Sequence, residues 1–259
     1  MIQEERRVYL IQYLLNEDSQ YEDISIPKNT FDQKKLLRAL MNVRIPKPIN
    51  NQFITVQDEY LKEEIERKGI VSIDDLDEIQ KDLYIWQGDI TTLQCDAIVN
   101  AANSQMLGCF CPNHGCIDNA IHTYAGIQLR LKMNEIMSLQ QTLEETGKAK
   151  ITPAYNLPCQ YILHTVGPIV RGVVTKKDKA DLKNCYTSCL ELAEKTGLKS
   201  IAFCCISTGE FHFPNDLAAQ IAIETVKEYK RKTSSEMKVI FNVFKSLDKQ
   251  IYTDLLGSD

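Results

Sequence analysis

The sequence predicts an α/β protein, a sandwich of helices around a mostly parallel mixed sheet, preceded by a small helical extension. Two observations carry this. From about Leu83 onward, short apolar runs suited to strands alternate with longer helical patterns. Before that the texture is helical only, and chemistry-bearing side chains are scarce: none of the nine cysteines precedes Cys95 and none of the four histidines precedes His114.

Each element has its own signal. Leu10, Ile11, Leu14 and Leu15 make one apolar stripe at helical spacing. Thr30-Phe31-Asp32-Gln33 fits a capping box ahead of Leu36, Leu37, Leu40 and Met41. Pro46 and Pro48 end that helix, because proline lacks the N–H that would continue it. A third helix is expected from about Val56 to Lys68, with Gly69 as its left-handed stop. Residues 1–75 are read as the extension and 76–259 as the sandwich domain. There, LYIWQ and DAIVNAA read as strands, the second suited to burial on both faces. A helical pattern runs from Ile117 to about Leu139, and YILHTV is the next strand. Leu182, Cys185, Tyr186, Cys189, Leu190 and Ala193 share one helical face. SIAFCCIS is a strand, 214–231 a helix, VIFNVF a strand and 248–256 a last helix. Sheets of this kind bind ligands at the carboxyl ends of their strands, which is where the loops after DAIVNAAN and SIAFCCIS fall.

Composition narrows the function. A net charge of −5 with no strong basic run disfavours nucleic acid, while one small anionic ligand stays compatible. The N-terminus has no secretory pattern, since Glu4 and Glu5 precede its apolar stretch and Gln12 interrupts it. No run approaches the roughly 18 apolar residues of a membrane span. The expected location is the cytoplasm, where cysteines are thiols or metal ligands rather than disulfides.

The segment GCFCPNHGC, residues 108–116, concentrates thiol and imidazole. Zinc favours these donors, and a reactive zinc site has three protein ligands and one open position. Cys109, His114 and Cys116 supply two thiolates and one imidazole. Cys111 competes: if it binds as well, the site is closed and the metal only staples the loop. Cys185, Cys189, Cys204 and Cys205 read instead as core residues.

Four further segments fix a resemblance. QGDIT at 87–91, AIVNAAN at 97–103, ILHTVGP at 162–168 and STGEFHFP at 207–214 resemble, in order, the successive signatures of macrodomains, over about residues 83–256. That resemblance implies a three-layer α/β/α sandwich that binds ADP-ribose, and several such proteins remove it from other proteins. Most macrodomains carry a glycine-rich loop after NAAN. Here GCFCPNHGC replaces it, which resembles the bacterial zinc-containing macrodomains often encoded beside a sirtuin-like transferase. Their pattern, Cys-Phe-x-Pro-x-His-x-Cys, selects Cys109, His114 and Cys116 for one zinc ion per chain and leaves Cys111 at a variable position. The helical extension also suits that subgroup; it either recognises the partner or covers the sheet.

The same resemblance assigns roles. Asp89 accepts from the adenine amino group with the Ile90 backbone assisting; otherwise it is a turn or cap aspartate. Asn103 reaches the distal ribose, and Asn100 holds the loop. Asp118 caps the following helix, orients the reacting water or ribose hydroxyl, or does both. His122 is a packed, hydrogen-bonded side chain. Ser207, Thr208, Gly209, Glu210 and Phe211 form a diphosphate loop whose N–H groups cradle the anion, with the Glu210 carboxylate turned away. Phe211 or Phe213 packs on the ribose, His212 has no fixed role, and Phe244 either stacks on adenine or belongs to the core. The expected reaction is zinc-dependent hydrolysis releasing mono-ADP-ribose from modified proteins, with Asp or Glu esters as substrates. Zinc either lowers the pKa of a water or positions and polarises the ribose. The rivals are an ADP-ribose reader with a structural zinc and an O-acetyl-ADP-ribose deacetylase.

Overall fold

The computed structural model describes residues 1–257. Its first three helices are α1 (Gln3–Leu15), α2 (Thr30–Val43) and α3 (Asn51–Lys68). The Leu10, Ile11, Leu14 and Leu15 stripe is buried against Leu37, Leu40 and Met41 of α2 and Phe53, Val56, Tyr60 and Leu61 of α3. Two helix starts differ from the sequence expectation. The α2 cap is Asn29, whose side chain accepts from the Asp32 N–H, so Thr30 lies inside the first turn. Asn50 caps α3 through the Phe53 N–H, six residues before Val56. In both places an asparagine with extended backbone satisfies an N–H that the helix itself cannot. Gly69 ends α3 at φ 91°, as expected.

The remainder is a sheet between helices. Strands β1 (Val71–Ser72) and β4 (Leu93–Gln94) form a short parallel pair. The main sheet has β2 (Glu78–Gln80), β3 (Leu83–Gln87), β5 (Ala97–Ala102), β6 (Ala149–Pro153), β7 (Tyr161–Val166), β8 (Ser200–Phe203) and β9 (Lys238–Val243), in the order β2-β3-β9-β8-β5-β7-β6. The five inner strands are parallel, and the edges β2 and β6 are antiparallel. Helices α4 (Ile117–Ala125) and α5 (Ile127–Gln140) pack on β5 and β6. Helices α6 (Lys176–Lys195), α7 (Asn215–Thr233) and α8 (Ser246–Leu256) form the other layer, with α6 on β6 and β7 and α8 on β3 and β9. This is the predicted three-layer sandwich.

The expected single helix from Ile117 to Leu139 is two. Gly126 breaks it at φ 98°, a conformation that costs glycine little. Gln57 of α3 then accepts the Ile127 N–H at 3.0 Å, capping α5 from outside. Cys185 and Cys189 are buried in the core as read, and Cys204 is nearly so, but Cys204 and Cys205 lie past the end of β8.

Candidate active site

Because β3, β9, β8, β5 and β7 run parallel, their carboxyl ends share one edge. That edge collects Asp89, Phe244, the loop from Cys204 to Phe213, Asn103 and Gly167 in a row.

The metal-ligand candidates sit beside Asn103, between β5 and α4. Cys116 is the N-cap of α4, with extended backbone (φ −77°, ψ 158°), and its Sγ accepts from the Asn119 N–H at 3.4 Å. Cys109 Sγ lies 3.7 Å from His114 Nδ1. The ligand atoms of Cys109, His114 and Cys116 all lie within 4.8 Å of one another. Cys111 is exposed and stands outside this group. Two sulfurs and one ring nitrogen this close together are donors of the kind zinc favours. Burial first, with Cys109 and Asp118 behind it, outweighs the Asn119 N–H and pushes the Cys116 thiol up to about 12. A cation held between the sulfurs would favour their ionised form.

Beneath the loop runs a buried polar chain. Asp118 accepts from Asn100 Nδ2 at 2.8 Å on Oδ1 and from Asn103 Nδ2 at 3.3 Å on Oδ2. Burial raises its pKa to about 6 against the lowering effect of Asn100, Arg130 and Asn103. Asn100, fully buried, also meets His164 Nδ1 at 3.2 Å, and His164 Nε2 meets Thr152 Oγ1 at 3.0 Å. Since Asn100 Nδ2 is a donor, His164 Nδ1 accepts and Nε2 carries the proton, giving a neutral ring. Burial agrees, lowering the His164 pKa to about 3. Asn103 also donates to the Gly108 carbonyl at 3.1 Å. The asparagine that ties down the metal loop is therefore Asn103 rather than Asn100, which lies too deep. His122 is packed as expected but is not hydrogen-bonded as expected; its ring lies against Gly108, where a Cβ would fall 2.7 Å from Cγ. Neither of its ring nitrogens has a hydrogen-bond partner among the described residues; Asp118 Oδ1 stands 3.6 Å away.

The second loop closes on itself. Ser207, at φ 66°, accepts the Phe213 N–H at 2.9 Å; Thr208 N–H reaches the Cys205 carbonyl and His212 N–H the Gly209 carbonyl. The Ser207 hydroxyl is buried without a hydrogen-bond partner among the described residues. Gly209 and Glu210 are exposed at the tip and Phe211 is half-buried. Phe213 is buried in the core, which leaves Phe211 as the aromatic at the cleft. Glu210 turns toward the metal loop, its Oε1 3.6 Å from His114 Nε2.

At the far end, Asp89 accepts from Thr91 N–H and Oγ1 at 3.0 and 2.6 Å on Oδ1, the cap geometry of an aspartate turn. Its Oδ2 accepts from Lys68 Nζ at 2.8 Å, and that ammonium lies 3.4 Å from the centre of the Tyr124 ring. Burial raises the Asp89 pKa, but Lys68 and Thr91 outweigh it and hold the carboxyl below its usual range. Ile90 is buried beside it. Phe244 is 76% exposed just past β9, so it is not a core residue.

Residues 99–222, from within β5 to the first half of α7, match the macro domain family. The chain is 54% identical to a protein-ADP-ribose hydrolase of Treponema medium, covering 99% of this chain and 100% of that one. It is 48% identical to a protein-ADP-ribose hydrolase of Staphylococcus aureus, covering 98% and 96%. The chain belongs to the macro domain family. Among solved structures, an Oceanobacillus iheyensis macrodomain with ADP superposes on the macro domain with a TM-score of 0.63 at 34% identity, covering 70% of this chain and 94% of that one. A Trypanosoma brucei macrodomain in complex with ADP-ribose gives 0.66 at 28% identity, covering 85% and 95%.

Several residues close to the macro domain's cleft were not legible in the sequence: Lys68 on Asp89, His164 under Asn100, and Arg38, Asn42 and Arg130 around the metal loop. Only His164 left a signal, as a histidine within an otherwise apolar strand. Its register partner on β5 is Asn100. No helix among the described residues is long and apolar enough to cross a membrane.

Proposed function

We propose that this chain is a zinc-dependent hydrolase that removes mono-ADP-ribose from Asp or Glu esters on proteins, reversing a modification installed by a sirtuin-like transferase in the cytoplasm. The observation that carries the reading is the convergence of Cys109, His114 and Cys116 within 4.8 Å, next to Asn103 and Asp118, in a macro domain half-identical to protein-ADP-ribose hydrolases.

The chain's own residues divide the work. Asp89 keeps an unused lone pair on Oδ2 for the adenine amino group, with the Ile90 backbone beside it. The Ser207–Phe211 tip presents backbone N–H groups to the diphosphate, and Phe211 packs on the distal ribose. Phe244, free of the core, stacks on the adenine face. Asn103 sets the height of the metal loop and offers its amide to the ribose hydroxyls. Asp118, with a pKa of about 6, is ionised at neutral pH and able to take a proton from water attacking the ester link. When bound by Cys109, His114 and Cys116, zinc supplies Lewis acidity to one oxygen of the ribose or ester, moderated by the charge of two thiolates.

The test is Cys116→Ala and His114→Ala, each assayed for zinc content, ADP-ribose affinity and release of ADP-ribose from a modified protein. The expected result is loss of zinc and of release, with affinity kept. Release at the parental rate from zinc-free protein refutes the metal's part. A parent that binds ADP-ribose but releases none is a reader, and preference for an O-acetyl ester over modified protein identifies the deacetylase.

A further inference from the structure

We infer that the helical extension builds the metal loop, and that Arg38 and Asn42 of α2 are positioning residues which hold Cys109, His114 and Cys116 in their common geometry. This rests on the reading of that loop as a zinc site.

The loop from Gly108 to Cys116 contains no helix or strand. From its own backbone it has the His114 N–H on the Cys111 carbonyl at 3.3 Å. Its shape comes from outside. Arg38 Nη2 donates to the His114 carbonyl at 2.9 Å and to Asn119 Oδ1 at 2.7 Å, while Arg38 Nε reaches the same Oδ1 at 3.1 Å. A guanidinium only donates. Asn119, fully buried, must therefore present its oxygen to Arg38, which turns its Nδ2 to the Cys111 carbonyl at 3.0 Å. The Asn119 N–H already serves Cys116 Sγ. One arginine thus fixes the backbone of one ligand directly and, by holding Asn119, supports the residue whose side-chain amide meets the Cys111 turn and whose backbone N–H meets a second ligand.

Asn42 holds the other side. Its Oδ1 accepts the N–H of Asn113, whose φ of 54° is left-handed, and its Nδ2 donates to Thr123 Oγ1 on α4, both at 3.0 Å. Arg130 of α5 completes the clamp. It donates to the Met41, Asn42 and Arg44 carbonyls at 3.0, 2.8 and 2.7 Å, where α2 leaves its last carbonyls unpaired. On its other edge it donates to the Leu107 carbonyl at 2.7 Å, and its guanidinium lies 4.2 Å from the centre of the Phe110 ring. A segment that merely covered the sheet would need apolar contacts. The bonds from α2 are directional and reach the backbone of the loop itself, at His114 and Asn113. Partners of this kind around a metal site are worth about 10- to 100-fold in metal affinity.

The experiment uses the full-length protein and Arg38→Met, with Arg38→Gln as a gentler variant that keeps one donor and Lys35→Ala as an α2 control. Zinc affinity is read by competition with a chromophoric chelator, the ligand field by the visible spectrum of the cobalt-loaded protein, folding by thermal melting, and ADP-ribose affinity by calorimetry. Arg38→Met is expected to melt cooperatively, bind ADP-ribose within about twofold of the parent, lose about tenfold or more in zinc affinity and shift the cobalt bands. Arg38→Gln changes in the same direction by less, and carries the test where the Met variant does not fold; Lys35→Ala matches the parent. Folded Arg38 variants with parental zinc affinity and cobalt spectrum overturn the inference. A parent that binds no zinc overturns the functional reading instead, so the two failures are distinct.

Discussion

The two loops that meet where Glu210 faces His114 are built in opposite ways. The 207–213 loop is closed by its own backbone, with left-handed Ser207 and His212 turning the chain back. The metal loop takes its shape from Arg38, Asn42 and Arg130, donors and acceptors far away in sequence. The contrast matches what the proposed role of each loop requires. A diphosphate cradle needs successive N–H groups pointing one way, which a tight turn supplies locally. A three-ligand metal site needs side chains from separate positions to converge, which a short irregular loop cannot enforce alone. One loop should therefore govern affinity and the other rate.

The largest effect is expected at the rate end. Asp118→Asn keeps the size of the side chain but removes the proton acceptor and turns one of the two oxygens that accept from Asn100 and Asn103 into a donor. Single-turnover release should fall by about 100-fold, with zinc content and ADP-ribose affinity retained; a matching loss of affinity would erase the contrast. Asp89→Ala should act the other way, weakening ADP-ribose binding by about 1.5–3 kcal/mol in calorimetry, the range for a hydrogen bond to a charged group, with zinc unaffected. Gly167→Ala sharpens the comparison without touching a ligand contact. A Cβ there overlaps Ser207 Oγ and presses on Ile206, so the cradle must shift. Overpacking costs about 1–3 kcal/mol, read as lower stability and weaker ADP-ribose binding at parental zinc content.

The smallest effect concerns the chain beneath both loops. His164 is neutral in the fold, its pKa lowered to about 3, below the unfolded value near 6.5. Between those values the unfolded chain binds the extra proton, so stability falls as pH drops through 6.5. From pH 6.5 to 5.5 this amounts to about 1 kcal/mol. In denaturant titrations His164→Gln should lose that much less than the parent over the same interval; parallel pH curves would show that His164 does not titrate on unfolding.

Much of this was legible in one dimension. Inner strands such as β5 announce themselves because they are apolar on both faces, and the candidate metal ligands because thiols and imidazole crowd a loop rich in Gly, Pro and Asn. The edge strand β6 was missed: Ala149-Lys150-Ile151-Thr152-Pro153 is half-exposed and mixed in character, and only pairing with β7 makes it a strand. The α4–α5 break was missed because the Ile117–Leu139 pattern hides the Gly126 conformation and the Gln57 cap is about 70 positions away. Asn100 and Asn103 were distinguished only once depth was known, since one faces the buried His164 and the other the Gly108 carbonyl.

By itself the sequence determined which atoms are present and which local conformations they favour: the helix stripes, the buried strands, the breaks at Pro46 and Gly69, and a set of thiol and imidazole donors close along the chain. The tertiary structure alone decided that Cys111 stays out of the donor group, that Phe244 is exposed while Phe213 is core, that Lys68 reaches Asp89, and that α2 grips the metal loop. The reason is range. Propensity and periodicity act over a few residues, whereas direction and burial at the site come from hydrogen bonds joining residues some 70 to 90 positions apart, such as Arg38 to His114 and Arg130 to Met41.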